Sequence, residues 1–226
     1  RRTAGTDCGD PMTADSNRTT ETVTNLPALD QWINREGIRY FKVGIFDIDG
    51  VMRGKYIDRN KLRSAVDKGF GFCDVVLGWD SNDQLYDNVT YTGWHTGYPD
   101  ANVRLLPETC RELPSESGNV LFLGEFTGAA AAVCPRNLLG RMVAKAQAMG
   151  FAPRSALEFE FFVFDESPHS VVEKGFRNLQ PITPGNFGYS VLRSSVWSDF
   201  YEELLNVCEE MDFPLEGLHT ETGPGV

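Results

Sequence analysis

Residues 155–164 constrain the fold of this chain more than any other stretch of comparable length. They read Ser-Ala-Leu-Glu-Phe-Glu-Phe-Phe-Val-Phe, and successive side chains of a strand point to opposite faces of a sheet. Glu158 and Glu160 therefore share one face, while the other positions on both faces are mostly apolar. This pattern predicts a strand buried on both sides, and the alternative is an edge strand whose glutamates face water.

Two adjacent carboxylates in an apolar environment repel each other and lose hydration. They must then take up a proton, pair with basic groups or bind a cation, and a hard divalent ion such as Mg²⁺ prefers oxygen ligands.

A second acidic segment, residues 215–226, contains Glu216, His219 and Glu221 and runs into Gly-Pro-Gly. Taken singly, a core histidine and a surface acid are the simpler interpretations. Two such segments, separated by a helix–strand unit, are expected to be neighbouring strands that share one site.

Composition excludes several classes of protein. The net charge of −11 argues against a nucleic-acid partner, because phosphate contacts need a basic surface. No run of about 20 apolar residues and no secretory signal is present, so we expect neither a membrane span nor secretion. Five scattered cysteines argue against zinc sites and disulfides, which favours a reducing, cytoplasmic location.

The chain is predicted to be an α+β protein with two domains. Residues 1–25 are polar and lack periodicity, which indicates a disordered leader in which Met12 could be the native start. Residues 26–130 form the N-terminal domain, and residues 131–226 form the second. We expect helices over 27–36, 59–68, 135–150 and 195–211, a hairpin over 38–57, and strands near 74–77, 89–94, 102–106, 119–126 and 213–220.

Two motifs together carry a resemblance to a known family. Glu-x-Glu-Phe-Phe at 158–162 and Glu-Gly-x-His-x-Glu-x-Gly-Pro-Gly at 216–225 resemble the catalytic domain of the glutamine synthetase family. The hairpin sequence Asp-Gly-Val-Met-Arg-Gly-Lys at 49–55 resembles the opening of that family's β-grasp domain, especially in the branch with glutamate–amine ligases. The resemblance covers residues 26–226. It implies a β-grasp N-terminal domain followed by a truncated catalytic α/β domain built on an antiparallel sheet.

The resemblance also implies roles for single residues. Glu160 and Glu221 match ligands of the metal ion beside the substrate glutamate, and Glu158 matches a ligand of the ion that bridges the ATP phosphates. Glu216 and His219 match residues that bind the nucleotide. Asp74 aligns with a β-grasp aspartate that reaches a neighbouring subunit and helps to bind ammonium. Here Val75-Val-Leu replaces the Gly-Ser-Ser that follows this aspartate in the family, which leaves room for a larger amine.

The implied function is an ATP-dependent ligase that makes glutamine through γ-glutamyl phosphate, with Mg²⁺ or Mn²⁺ as its metal ion. Two anions, a carboxylate and the ATP γ-phosphate, must meet in that reaction, and metal ions neutralise their repulsion. Glutamate, ATP and ammonia or a small amine would be the substrates, and the family's ring-shaped homo-oligomer shares each site between two subunits. An amine or polyamine ligase of the same family is the alternative. The chain stops before the family's later ligands, so we expect 1–226 alone to be inactive.

Two other interpretations stay open. Asp47 and Asp49, after a hydrophobic strand, match the Asp-x-Asp-Gly of haloacid-dehalogenase-like phosphatases, with Asp47 as nucleophile. Hairpin-turn chemistry is the preferred explanation of these residues, because residues 51–57 form a plausible return strand and no later phosphatase motif follows. A scaffold that has lost catalysis is the third interpretation, which the intact set of acids and His219 disfavours.

Overall fold

The computed structural model describes residues 26–213 and 215–226, so the predicted disordered leader at 1–25 and the possible start at Met12 lie outside it. The chain forms a mixed α/β fold. Its helices are α1 (Leu26–Glu36), α2 (Arg59–Lys68), α3 (Pro135–Ala148), α4 (Pro168–Glu173), α5 (Val191–Val196) and α6 (Ser198–Glu210). Its strands are β1 (Tyr40–Phe46), β2 (Met52–Ile57), β3 (Phe70–Cys73), β4 (Asp100–Glu112) and β5 (Asn119–Phe126).

The five strands form one sheet in the order β2-β1-β5-β4-β3. The central pair, β1 and β5, is parallel, with Tyr40 opposite Asn119. All other neighbours are antiparallel, including the β1–β2 hairpin, in which Phe46 faces Met52. Strands from the two ends of this region therefore meet in the middle of the sheet.

The hydrophobic core lies between the sheet and the first two helices. Alternate residues of β5 are buried, including Phe122 at 0% exposure, because successive side chains face opposite sides of the sheet. Leu29 and Ile33 of α1 and Leu62 of α2 pack into the same cluster. Asp58 caps the N-terminus of α2, where its side chain accepts hydrogen bonds from the backbone N–H groups of residues 60 and 61.

Local patterns predict most of this region correctly. The structure confirms the first helix, the hairpin, α2 and the strand over 119–126. The strands predicted at 74–77 and 89–94 are wrong: the first is a 3₁₀ helix (Asp74–Leu77) that follows β3, and the second is loop and turn. The β-branched residues at 75–76 favour strands only where a neighbouring strand can pair with them, and β4 pairs with β3 instead.

The second half differs from the prediction in its strands. Helices α3 and α6 confirm the predicted helices, although the second breaks at Trp197 and α5 precedes it. Among the described residues beyond Phe126 there is no sheet strand, only an isolated bridge between Phe164 and Pro181. The strands predicted over 155–164 and 213–220, and hence the antiparallel sheet of the second domain, are therefore wrong for this chain. Residues 151–160 are exposed rather than buried, because no neighbouring strand covers them.

Within the described ranges, none of the helices combines the length and the apolar character needed to cross a bilayer. This finding agrees with the absence of a long apolar run in the sequence.

Candidate functional site

A groove of about 560 Å³ crosses the second half of the chain. Its lining residues come from 156–163, from 182–183, from α6, and from 215–221 with Gly225 and Val226. All five acidic and histidine residues predicted in this half line it, namely Glu158, Glu160, Glu216, His219 and Glu221. The two motifs that are about 60 residues apart in sequence therefore face one space, although neither is a sheet strand.

Backbone contacts among residues that line the groove bring the two motifs together. The N–H of Val163 donates to the carbonyl of Gly225 at 2.8 Å, and the N–H of Ile182 donates to Val163 at 3.1 Å. Gly225 also donates to the Thr183 hydroxyl at 2.9 Å. A Cβ at Gly225 would lie 2.6 Å from the Val163 carbonyl oxygen, and its φ of +83° disfavours other residues. The Gly-Pro-Gly segment therefore lies directly against the backbone of residue 163.

Glu221 is the best-anchored carboxylate of the groove. Its Oε1 lies 2.8 Å from His219 Nε2. The bond from His219 is the main reason that the pKa of Glu221 lies below its ordinary value, with Tyr189 as the second cause. Glu221 is therefore held as a charged acceptor that points in a defined direction.

Tyr189 was not among the predicted residues, yet it connects the acids of the groove. Its ring stacks on His219 with the centroids 4.8 Å apart, and its N–H donates to Thr220 at 2.8 Å. The pKa of Tyr189 is raised, first by the hydrogen bond to Glu221 and also by the charges of Glu158 and Glu160. Its φ of +58° is unusual for a residue with a side chain. No sequence pattern marks it, since the contacts arise only when two distant segments meet.

The acids have the chemistry of a magnesium site but do not converge as they stand. Carboxylate oxygens are the ligands that Mg²⁺ prefers, and the charges of Glu158, Glu160 and Glu221 all act on the Tyr189 hydroxyl. Across the described ranges, no three acidic, histidine or cysteine side chains lie close enough together to hold an ion. Glu158 and Glu160 are exposed, so their side chains are free to turn toward a cation. The donor set therefore fits a divalent ion in its residue types.

Asp74 lies elsewhere, in the N-terminal region. It is only 3% exposed, and its Oδ1 accepts a hydrogen bond of 2.6 Å from the Thr92 hydroxyl. Asp74 does not line the groove, so the structure does not bring it together with the other five residues.

Asp47, the nucleophile of the phosphatase alternative, is fully buried and engaged. Its carboxylate accepts from the N–H groups of Asp49 and Val51 at 3.0 and 2.8 Å, and from Arg53 Nε at 2.8 Å. Arg53 also pairs with Asp83 at 2.7 Å. These contacts close the β1–β2 hairpin and leave no exposed oxygen for attack on a phosphate. They support hairpin-turn chemistry as the explanation of the Asp-x-Asp-Gly sequence.

Comparison with known proteins gives a consistent result. Residues 132–226 match the family model of the glutamine synthetase catalytic domain. The chain is 45% identical over 190 residues to "Type-1 glutamine synthetase 2" of Dictyostelium discoideum, a match that covers 83% of this chain and 36% of that protein. It is 32% identical over 200 residues to the glutamate–isopropylamine ligase of a Pseudomonas species, covering 86% of this chain and 43% of the ligase.

The fold is similar to that of a solved structure titled "GmaS/ADP complex-Conformation 1", with a TM-score of 0.59 and 14% identity. That match covers 87% of this chain and 42% of the solved one. At this identity the likeness concerns the fold alone. The chain spans about two fifths of the length of the proteins it matches.

Proposed function

Because this chain belongs to the glutamine synthetase family, we propose that it supplies the N-terminal domain and the first part of the catalytic domain of a glutamate ligase. The ligase would join ammonia, or a small amine, to the γ-carboxylate of glutamate with ATP. The observation that carries the proposal is the groove, which gathers Glu158, Glu160, Glu216, His219 and Glu221 from two distant motifs.

The family generally uses ATP and divalent metal ions. We propose that Glu160 and Glu221 would hold one Mg²⁺ and that Glu158 would help to hold a second. A bound divalent ion would offset the repulsion between the substrate carboxylate and the ATP γ-phosphate. The hydrogen bond from His219 supports this role for Glu221, since it keeps the carboxylate charged and oriented. Glu216 and His219 are proposed to contact the nucleotide.

The N-terminal region is proposed to be a β-grasp domain over residues 26–130, with the catalytic part beginning at 131. A five-stranded sheet with a central parallel pair and two helices on one face supports this assignment. In the proposed ring of subunits, Asp74 would serve the site of a neighbouring subunit. Its burial beneath Thr92 means that this carboxylate would have to leave its present hydrogen bond, or act through the loop that it anchors.

A larger amine is the second candidate for the acceptor. The relative that is 32% identical is named for isopropylamine, and the groove wall is mainly apolar, with Leu157, Leu204 and Leu218 among its residues. An apolar wall beside carboxylates suits a cationic head with a hydrocarbon body. The residues after Asp74, Val75-Val-Leu, support the same choice because they lack the small and hydroxylated side chains expected for ammonium.

The test is a chimera in which residues 26–226 replace the matching part of the 45% identical Dictyostelium relative. Phosphate release with ATP, Mg²⁺ and glutamate would be measured with ammonia, isopropylamine, ethanolamine and putrescine in turn. Release with ammonia supports a glutamine synthetase, and release with only a larger amine supports an amine ligase. The chimera with Glu160→Gln is the control for activity from other sources. A stable, folded chimera that releases no phosphate with any acceptor would refute the proposal.

A further inference from the structure

One helix that lines the groove, α6, is contacted at its C-terminal end by an arginine that does not itself line the groove. Helix α6 lines the groove with Phe200, Tyr201, Leu204 and Cys208. None of the side chains of α6 is fully buried in the described structure. Contacts at the end of α6 therefore add to its half-buried side chains in holding the helix in place, and α6 contributes part of the groove lining.

The C-terminal end of α6 lacks the charge that a helix end favours. Its last turn has no basic residue and instead carries Glu209 and Glu210, with Asp212 just beyond. Carboxylates at this end face the negative pole of the helix dipole, which is unfavourable. The backbone closes in a Schellman arrangement, in which Phe213 N–H donates to Cys208 and Asp212 N–H donates to Glu209. Asp212 takes the left-handed position, with φ +57°.

Arg111, from the distant sheet strand β4, supplies the missing charge. Its Nε donates to the carbonyl of Met211 at 2.9 Å, at the end of α6. Its Nη2 lies 3.8 Å from Asp212 Oδ2, and the side chain is 26% exposed. One guanidinium therefore satisfies a terminal carbonyl and faces the acidic end of the helix, which is where a cation stabilises a helix most.

The direction of Arg111 follows from a bulge in β4. Leu106 pairs with Leu123 and Arg111 pairs with Leu121, so β4 has four residues between these pairs where β5 has one. Thr109 fixes the bulge, because its hydroxyl donates to Leu106 at 2.6 Å and accepts from Leu123 N–H at 2.8 Å. Bulges redirect side chains away from the regular alternation of a strand.

We infer that Arg111 is a positioning residue, which couples the bulged strand β4 of the N-terminal sheet to α6 and so helps to set the groove wall. The meaning of that wall for catalysis rests on the proposed function. The coupling itself does not, because it concerns the backbone of α6 and can be measured without turnover.

The experiment is hydrogen–deuterium exchange on the 226-residue chain and three variants. Arg111→Met keeps most of the aliphatic stem but removes the charge and the donors, and Arg111→Lys keeps the charge with one donor group. Arg104→Met is the matched control, since Arg104 lies on the same strand, is 63% exposed and pairs with Glu125 rather than α6.

We expect exchange at 207–213 to be about tenfold faster in Arg111→Met, with rates for β1 and β5 unchanged. Arg111→Lys should restore most of the protection, and Arg104→Met should leave these amides as they are. Unchanged exchange at 207–213 in Arg111→Met would overturn the inference, and so would an equal increase in Arg104→Met or an increase spread over the whole sheet. If the variants show the expected exchange but the chimera releases no phosphate, the coupling between Arg111 and α6 stands and only the proposed function is refuted.

Discussion

The two halves of the chain contain similar apolar sequence but treat it differently. In the described ranges, every fully buried hydrophobic side chain lies between Leu29 and Cys134. From the start of α3 onward, large apolar side chains are mostly exposed, including Phe159 at 76% and Leu157 at 79%. Even α3 has no buried residue, and its large apolar side chains at 138, 139 and 142 are about half exposed or more.

The difference teaches that an apolar pattern specifies which side chains favour burial, not whether the covering surface is present. In the N-terminal region two helices and five strands supply both surfaces. In the described part of the second region, helices and extended segments surround a groove and no sheet strand is present. Four predictions test how far this contrast extends, in order of the size of the effect.

The largest difference in stability should appear when a phenylalanine is replaced by alanine in each region. Phe122→Ala removes a fully buried ring and should lower the free energy of unfolding by about 3–5 kcal/mol. Phe159→Ala removes an exposed ring and should change it by less than about 0.5 kcal/mol. Urea denaturation followed by far-UV circular dichroism measures both. Equal losses would mean that Phe159 is covered in solution and that the contrast is wrong.

Asp47→Asn should cause the next largest loss of stability. It removes the charge of a fully buried carboxylate that accepts three hydrogen bonds, one of them from Arg53. We expect a loss of about 2–3 kcal/mol in unfolding free energy. Asp83→Asn, at the exposed end of the same arginine, should cost less than about 1 kcal/mol. Loss of a phosphatase activity in Asp47→Asn, with stability unchanged, would instead favour the phosphatase alternative.

Glu160→Gln tests the second region, where function should not depend on burial. We expect the affinity of the chain for Mn²⁺ to fall by about tenfold or more, since a carboxylate ligand is lost, while unfolding changes little. Isothermal titration calorimetry would measure the affinity. Glu173→Gln, on the exposed face of α4, is the control. Identical binding by the Glu160 variant and the unaltered chain would remove Glu160 from the proposed ligand set.

The smallest effect is local and acid-dependent. Lys174, Ser170 and the N–H of Gln180 all contact the Glu166 carboxylate, with Lys174 the main cause, and they lower its pKa to about 2. A carboxyl whose pKa is lower in the folded state stabilises the fold above its ordinary pKa of 4.5, and this contribution is lost as the pH falls toward 2.

Carbon-13 NMR of the Glu166 carboxyl should therefore show a titration midpoint near pH 2. Exchange at Gln180 should quicken over the same range, and Glu166→Gln should abolish that pH dependence. A midpoint near 4.5 would show that the contacts to Glu166 do not persist in solution.

Elements with local signals could be predicted from the sequence. The Asp58 cap and the stop at Gly69 delimit α2, and Asp49-Gly50 forms the hairpin turn. The two site motifs were wrongly predicted to be strands. A strand forms only where a neighbouring strand pairs with it, and the local alternation of residues does not show whether such a neighbour is present. The two motifs named the acids and the histidine that line the groove, while the roles of these residues stay predictions. Tyr189 was missed, since its stacking on His219 depends on a tertiary contact.

The parallel pairing of β1 with β5 has a consequence for how the chain reaches its fold. Tyr40 and Asn119 are about 80 residues apart in sequence, yet they are partners at the centre of the sheet. The entropy of closing so long a loop must be overcome before the central strands gain their contacts, and such non-local topologies fold slowly. During synthesis, β1 must wait for residues 119–126 to leave the ribosome. Until then it exposes an unpaired, apolar edge that a chaperone, or another nascent chain, can bind.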